Sequence, residues 1–407
     1  MWLGNKRQRR IVFPLGFLVS LPFAQATHAA TVEPVGSFGI HKPAFLSVLP
    51  TDSGDERLVV SSFAPFGIGR IFALPLNPKE PGWLDILSHE VAPTSSKVSW
   101  PNHVKTADAT LFGPGKLIVG SGFLIPGYKT GTVSIVDQKT GLATRIVKPK
   151  SEYFYHQTVF YDVNQDGQMD IITARAKLGW FGGHDGELIW LEKPQGDDTT
   201  YWTEHLIASG PDVNFVVTEH QGALTIIATE FFNKRLSLHW LVRTGWEHRI
   251  VDDTIGAAFD LSLSDLNNDG VLDLLATNHQ GDASASVFGY ELPRDWRNGA
   301  WKRHTLLTGI ETVVKGQGAA SPGSAITWQH TNGKPDIFVA GDGSGKVHWL
   351  SPVSNDSDDW RYTAHVVLDV GSTVGQMTLG ARDGDGHAHL FAPAYDANRI
   401  HVFKLVD

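Results

Sequence analysis

The chain has 407 residues, 42% hydrophobic and 19% charged, a balance that excludes a disordered polymer. Its formal charge is −9 with no stripe of Lys and Arg, which excludes a polyanion or nucleic-acid binder, and it has no cysteine, so no disulfide holds it. Forty-two glycines and 21 prolines in so apolar a chain imply many tight turns and short strands.

Read from the N-terminus, Lys6–Arg10 (KRQRR) is basic, Ile11–Ala24 is an apolar run of 14, and small residues around Ala24, Ala26, Ala29 and Ala30 offer a cleavage site. A bilayer span needs about 20 apolar residues, so 1–26 reads as a secretory signal peptide and the protein as secreted or lumenal. Loss of Lys6, Arg7, Arg9 and Arg10 takes the formal charge from −9 to −13. No later segment is apolar over the length of a span.

Seven apolar runs then recur every 48–63 residues: RLVV at Arg57, KLIV at Lys116, DIIT at Asp170, TIIA at Thr225, DLLA at Asp273, DIFV at Asp336 and HLFA at His389. Each is followed by a variable loop and an alternating strand, from GRIFALP to NRIHVFKL. Four units add a Trp-containing strand with a histidine (YWTEHLI, GWEHRIV, AWKRHTLL, WRYTAHVV), a recurrence that marks those histidines as outer-strand packing. A further apolar strand leads into each next unit. Four strands repeated seven times predict an all-β fold, one seven-bladed β-propeller over 31–407. The last unit stops after its third strand, while Thr31–Ile40 (TVEPVGSFGI) is a spare strand; it is predicted to complete the last blade and remove an open edge. The sequon Asn355-Asp356-Ser357 lies in a polar stretch that reads as an exposed loop, a glycosylation acceptor.

Two loops carry metal spacing. In DVNQDGQMD, Asp162, Asn164, Asp166 and Asp170 stand at positions 1, 3, 5 and 9, with Gly167 at 6; in DLNNDGVLD the same places hold Asp265, Asn267, Asp269, Asp273 and Gly270. Position 7, Gln168 or Val271, can add its backbone carbonyl. Hard oxygen donors wrapping a turn in this way favour Ca²⁺, so two structural calcium sites are predicted. No Glu at position 12 and no flanking helices are present, which excludes an EF-hand. Elsewhere the motif decays. Trp328–Asp336 keeps Asn332, Gly333 and Asp336; Ala381–His389 keeps Asp383, Asp385 and Gly386, a third candidate; Asp108–Lys116 keeps almost nothing.

The unit DxNxDGxxD, two apolar residues, a turn and a Gly-x-apolar-x-Trp-Leu strand resembles the FG-GAP/VCBS repeat of secreted and cell-surface propellers, over essentially the whole chain after the leader. Such propellers include integrin α-chain heads, fungal lectins, polysaccharide lyases and the propeller part of the fungal sugar dehydratase aldos-2-ulose dehydratase. The resemblance implies the propeller fold and bound Ca²⁺. The chain lacks the cupin-type part of that dehydratase and the literal FG…GAP spacing of integrins.

In this topology the metal loops share one face. The other face collects the loops entering strand one and those joining strands two and three, and propeller ligand sites gather there, at the channel mouth. Counting five residues back from each metal loop places His103, Gln157, Asp212, Asp260 and Gln376 in a polar ring. The candidate catalytic residues are His156 and His103, as acid/base groups or ligands of a second metal in the channel, with Asp260 and Tyr155. The candidate substrate-binding residues are Trp180, Phe181, His184, Gln157, Asp212, Asn278 and Gln376. No Gly-x-Ser-x-Gly elbow, His-Glu-x-x-His pair or phosphate loop is present. Histidine, tyrosine and carboxylates suit proton abstraction and elimination, hence a lyase, dehydratase or isomerase acting on a sugar or polyoxygenated small molecule. Two alternatives stay open. One is a non-catalytic carbohydrate-binding or adhesion propeller, which would repeat its binding residues, whereas Trp180-Phe181-His184 occurs once. The other is a cyclase of fungal secondary metabolism with a deep aromatic pocket.

Overall fold

Seven sheets of four antiparallel strands succeed one another along the chain. The computed structural model describes residues 31–51, 54–64, 69–80, 82–85, 93–95, 98–122, 131–150, 152–179, 183–196, 201–316 and 319–406. The predicted leader 1–26 and the candidate substrate-binding residues Trp180 and Phe181 lie outside the described residues. The blades occupy 43–95, 101–145, 154–209, 215–252, 258–308 and 325–369, and the seventh combines 378–406 with 31–39. Six run outward in chain order; in blade three the strands are Phe154–Tyr161, Asp170–Leu178, His184–Glu192 and Thr203–Ser209.

Each of the seven apolar runs is a second strand. A second strand lies between neighbouring blades on both faces, so it reads as continuous apolar residues rather than alternating ones. Asp336–Ala340, for example, is buried at every position. The core is accordingly divided, with one apolar cluster at each of the seven blade interfaces. Ile172 and Leu188 of blade three pack on Phe215 and Ile226 of blade four, and Leu275 and Val287 of blade five on Ile337 and Leu350 of blade six. Of the outer-strand histidines, His205 stacks on Trp190 at 4.2 Å and His304 on Trp360 of the next blade at 4.1 Å, His365 lies tilted against Trp349 at 4.8 Å, and His248 stacks on His239 at 5.8 Å.

The ring closes by strand exchange between chain ends. Thr31–Gly39 pairs antiparallel with Arg399–Val406 as the outermost strand of the last blade, from Thr31 against Val406 to Gly39 against Arg399. A bulge between Pro34 and Gly36 accommodates a proline on this edge strand. Phe38, 2% exposed, anchors the strand in the cluster between blades seven and one. Asn355 of the sequon is half-buried, and Lys334 N–H donates to its Oδ1 at 3.4 Å. No helix among the described residues is long and apolar enough to cross a membrane.

Candidate functional site

The two metal loops join strands one and two of blades three and five, and their hydrogen bonds coincide. Asp162 accepts the N–H of Asp166 at 3.1 Å and of Gly167 at 2.9 Å; Asp265 accepts those of Asp269 and Gly270 at the same distances. Asn164 and Asn267 each accept the same Asp N–H at 3.1 Å, and Asp166 and Asp269 accept the N–H at position 7, from Gln168 and Val271, at 2.8 Å. Asp170 and Asp273 reach back to the N–H of Val163 and Leu266 at 3.1 and 3.0 Å. Gly167 and Gly270 sit at φ 85° and 84°, a conformation that disfavours any side chain. Burial, together with Asp269 and Asp265 beside it, pushes Asp273 up to about 7; burial raises Asp170 too, with Asp166 and Asp162 adding to it. Converging carboxylates that resist ionising together form a donor set that a hard dication suits.

The other loops have diverged from this pattern. In blade six the buried Lys334 occupies position 7, and its ammonium donates to the carbonyls of Asp356 and Asp359 in the loop between strands three and four. In blade seven, Asp383, Asp385 and His387 each offer one ligand atom, all within 4.8 Å of one another, while Asp383 accepts the N–H groups of Asp385 and His387.

At the opposite face the inner strands are sheet edges facing the channel, and their free backbone groups need partners. Side chains of the preceding blade supply them. His103 Nδ1 accepts Thr158 N–H at 3.4 Å, Gln157 Oε1 accepts Phe215 N–H at 2.8 Å, and Asp260 Oδ2 accepts Ala325 N–H at 3.0 Å. Between blades four and five, Asn214 Nδ2 donates to Phe259 O at 3.0 Å. Between blades seven and one the main chain does this work: Gln376 N–H donates to Ala44 O at 3.0 Å and Gln376 O accepts Leu46 N–H at 3.1 Å.

The structure therefore brings His103, Gln157 and Asp260 to equivalent places, and Gln376 joins them through its backbone. Asp212 is not among them; Asn214 stands there instead. Asp212 is fully buried and accepts the N–H groups of Phe231 and Phe232 at 2.7 and 3.0 Å, closing the loop between strands two and three of blade four. Burial pushes its carboxyl up to about 8.

Tyr155 lies in the core between blades two and three, accepting from Arg175 Nη1 at 3.0 Å, with its phenol raised to about 12 by burial. Asn278 bridges a loop, donating to Ile255 O and Ser284 O and accepting Ser286 N–H. Both are committed to structure. His184 stacks on Phe232 at 5.1 Å with Nε2 3.1 Å from Asn233 Oδ1.

A continuous group of rings and carboxyls remains at the mouth. Phe45 of blade one meets His156 of blade three edge-on at 6.1 Å. Those blades are not neighbours, so the two rings meet over the channel rather than between sheets. Phe63 stacks on Phe45 at 5.9 Å, and Tyr395 donates its hydroxyl to Phe63 O at 2.7 Å. Past His156, Asn214 donates to Asp260 Oδ1 at 3.3 Å, and Phe259 stacks on His279 at 4.9 Å. His279 Nδ1 bonds Pro322 O at 3.0 Å and lies 3.9 Å from Asp342 Oδ2.

The electrostatics follow from burial. His156 is pulled down to about 4 by desolvation, partly offset by Asn214, and its Nδ1 is sealed from water without a hydrogen-bond partner. His103 is held well below its usual value by burial, then by Lys105 and His156. Burial raises Asp260 and Asp342 to about 6 each, against the N–H groups on Asp260 and against His279 beside Asp342. Near neutrality the mouth thus combines unprotonated imidazoles with carboxyls that hold a proton more readily than usual, a set able to move protons. Reasoning from sequence missed Phe45, Asp342 and Tyr395, and chose Asp212 and Asn278 over their near neighbours Asn214 and His279, which face the cluster.

No protein-family model matches the sequence, and no curated protein matches it in sequence. Solved structures match in three dimensions. The chain is similar to the Dos1 propeller, with TM-score 0.47 and 11% identity over 91% of this chain and 94% of that one. It is also similar to a Thermus thermophilus protein assigned as an oxidoreductase (glucose dehydrogenase), with TM-score 0.40 and 11% identity over 93% and 100% of the two chains. A third likeness is to the GH93 alpha-L-arabinofuranosidase of Fusarium graminearum bound to arabinobiose, with TM-score 0.41 and 9% identity over 92% and 98%. The chain is a seven-bladed β-propeller. The likenesses extend to the fold alone, and the FG-GAP/VCBS resemblance rests on the residues of the two metal loops.

Proposed function

We propose that the protein is a secreted, calcium-stabilised propeller that takes a sugar or similar polyoxygenated small molecule at the channel mouth and moves protons on it, as a lyase, dehydratase or isomerase does. The observation that carries this reading is His156. Its imidazole is neutral, its Nδ1 has no partner, and it sits between the rings of Phe45 and Phe154 over the channel. Once side-chain movement at the mouth admits a ligand to that buried atom, a neutral imidazole with an unengaged nitrogen can remove a proton from a hydroxyl or from a carbon beside a carbonyl, and a carboxyl near 6 can return one to the leaving oxygen. His156 is the base in this proposal, Asp260 and Asp342 are the candidate acids, and Phe45, Phe63 and Tyr395 form the wall. Asp162, Asn164, Asp166 and Asp170, with Asp265, Asn267, Asp269 and Asp273, would hold Ca²⁺, which neutralises converging carboxylates and fixes two loops away from the mouth.

A second reading, binding of carbohydrate without turnover, is favoured by one observation: His103, Gln157 and Asp260 already serve neighbouring blades. One experiment separates the two. The purified protein is incubated in D₂O with a panel of aldoses and uronic-acid oligosaccharides and followed by proton NMR. Deuterium exchange or elimination that disappears in His156→Gln supports catalysis. Saturable broadening without exchange supports binding alone, and neither effect with any sugar refutes both.

A further inference from the structure

We propose a second small-molecule site, on the metal-loop face between blades one and two, that takes a monocarboxylate with an apolar body. A cleft of about 480 Å³ opens there, within the range of about 300–1,000 Å³ in which small ligands are held. Its walls are the open end of the apolar cluster between the two blades: Leu49 and Val59 from blade one face Leu117 and Pro114 from blade two.

The cleft lies where the repeat breaks down. Blades three and five carry the nine-residue metal motif at this level. Blade two has lost it, and its loop is a one-turn helix, Ala109–Phe112, followed by a tight turn through Gly113 and Gly115. The space beside that turn is left open.

Charge indicates the ligand's head. The carboxylate in the lining, Asp137, is neutralised by Lys116. Arg57 and Lys139 also line the cleft, and among the described residues neither has a carboxylate partner. Arg57 donates only to a neutral acceptor, Gln138 Oε1, at 3.1 Å, which ties the two blades together and leaves most of its guanidinium donors available. In a chain of net charge −9, two cations without a carboxylate partner among the described residues, over an apolar floor, suit an anionic group attached to a hydrophobic body. Guanidinium geometry suits a carboxylate gripped by two parallel N–H bonds.

The test uses the whole protein in calcium buffer, with octanoate and phenylacetate as probes and octanol and benzyl alcohol as uncharged counterparts. Binding is read by methyl NMR at Leu49, Val59 and Leu117. The expected result is saturable shifts at these methyls, with the acids at least about tenfold tighter than the alcohols. Arg57→Gln should weaken the acids by about tenfold or more and leave the alcohols unchanged. Thr106→Trp, a change at an exposed lining position, should block all four. The proposal is overturned if the acids cause no saturable shift up to about 10 mM, if alcohols bind as well as acids, if the shifts fall at other methyls, or if Arg57→Gln binds like the parent protein.

Discussion

Asp260 joins blades five and six by accepting Ala325 N–H, yet burial raises its carboxyl to about 6. The unfolded chain should ionise it near the ordinary value of about 3.9, so the shift of about two units corresponds to roughly 2–3 kcal/mol, with some allowance for its partial exposure. Because the folded value is raised, the folded protein holds a proton that the unfolded chain has already released between about pH 4 and 6. This contribution to stability is full below about pH 4 and is lost as pH rises through 6.

Asp260→Asn keeps an oxygen for Ala325 N–H and cannot ionise. It loses the bond from Asn214, which retains Phe259 O. Relative to the parent, the variant should be about equally stable at pH 4.5, where the lost bond and the parent's partial ionisation offset each other, and about 1–2 kcal/mol more stable at pH 8, because the buried charge is gone. Asp260→Ala orphans the N–H and should be about 1–3 kcal/mol less stable than Asp260→Asn at both pH values. Urea unfolding with calcium held saturating measures all three proteins; other titrating groups cancel in the comparison. A difference between parent and Asp260→Asn that does not move with pH, or an alanine variant equal to the asparagine variant, would refute the reasoning.

Chelation of calcium should lower the melting temperature, and Asp162→Asn combined with Asp265→Asn should remove that dependence, each site contributing about 2–3 kcal/mol at a hundredfold excess over Kd; identical melting with and without chelator would sink the calcium assignment. Phe38→Ala should cost about 3–5 kcal/mol in chemical denaturation. Removal of 31–39 should bare the Arg399–Val406 edge and give concentration-dependent association in size-exclusion chromatography; a monomer as stable as the parent would count against the clasp. The His156 ring proton should titrate by NMR near pH 4, and a midpoint near 6.5 would show that the imidazole is solvated.

The blades were readable because every second strand is buried on both faces, which leaves an unbroken apolar run at Arg57, Lys116 and their five counterparts. The mouth was less readable, for local reasons. Counting back from a metal loop works only where the loop keeps its nine-residue length. In blade four the first two strands are joined by Gln221-Gly222 alone, both with positive φ, and the count landed on Asp212 rather than Asn214. Tyr155 was misplaced because the strand register shifts between Tyr155 and Thr158, so alternation cannot be carried across it. Phe45 and His156 are about 110 residues apart in sequence, and only closure of the ring brings them together.

The clasp also sets an order of events. Thr31–Gly39 is made among the first segments of the propeller and pairs with Arg399–Val406, made among the last. Until then its Phe38 has no pocket, and the first blade lacks the neighbour that covers its outer apolar face. Contacts of such long sequence separation form slowly, and the open arc exposes strand edges while it waits. Blades two to six can assemble one on another as they emerge, but the channel mouth, which needs blade one opposite blade three, comes into being only when the circle shuts. Any chemistry at the mouth is therefore withheld from the partly folded chain.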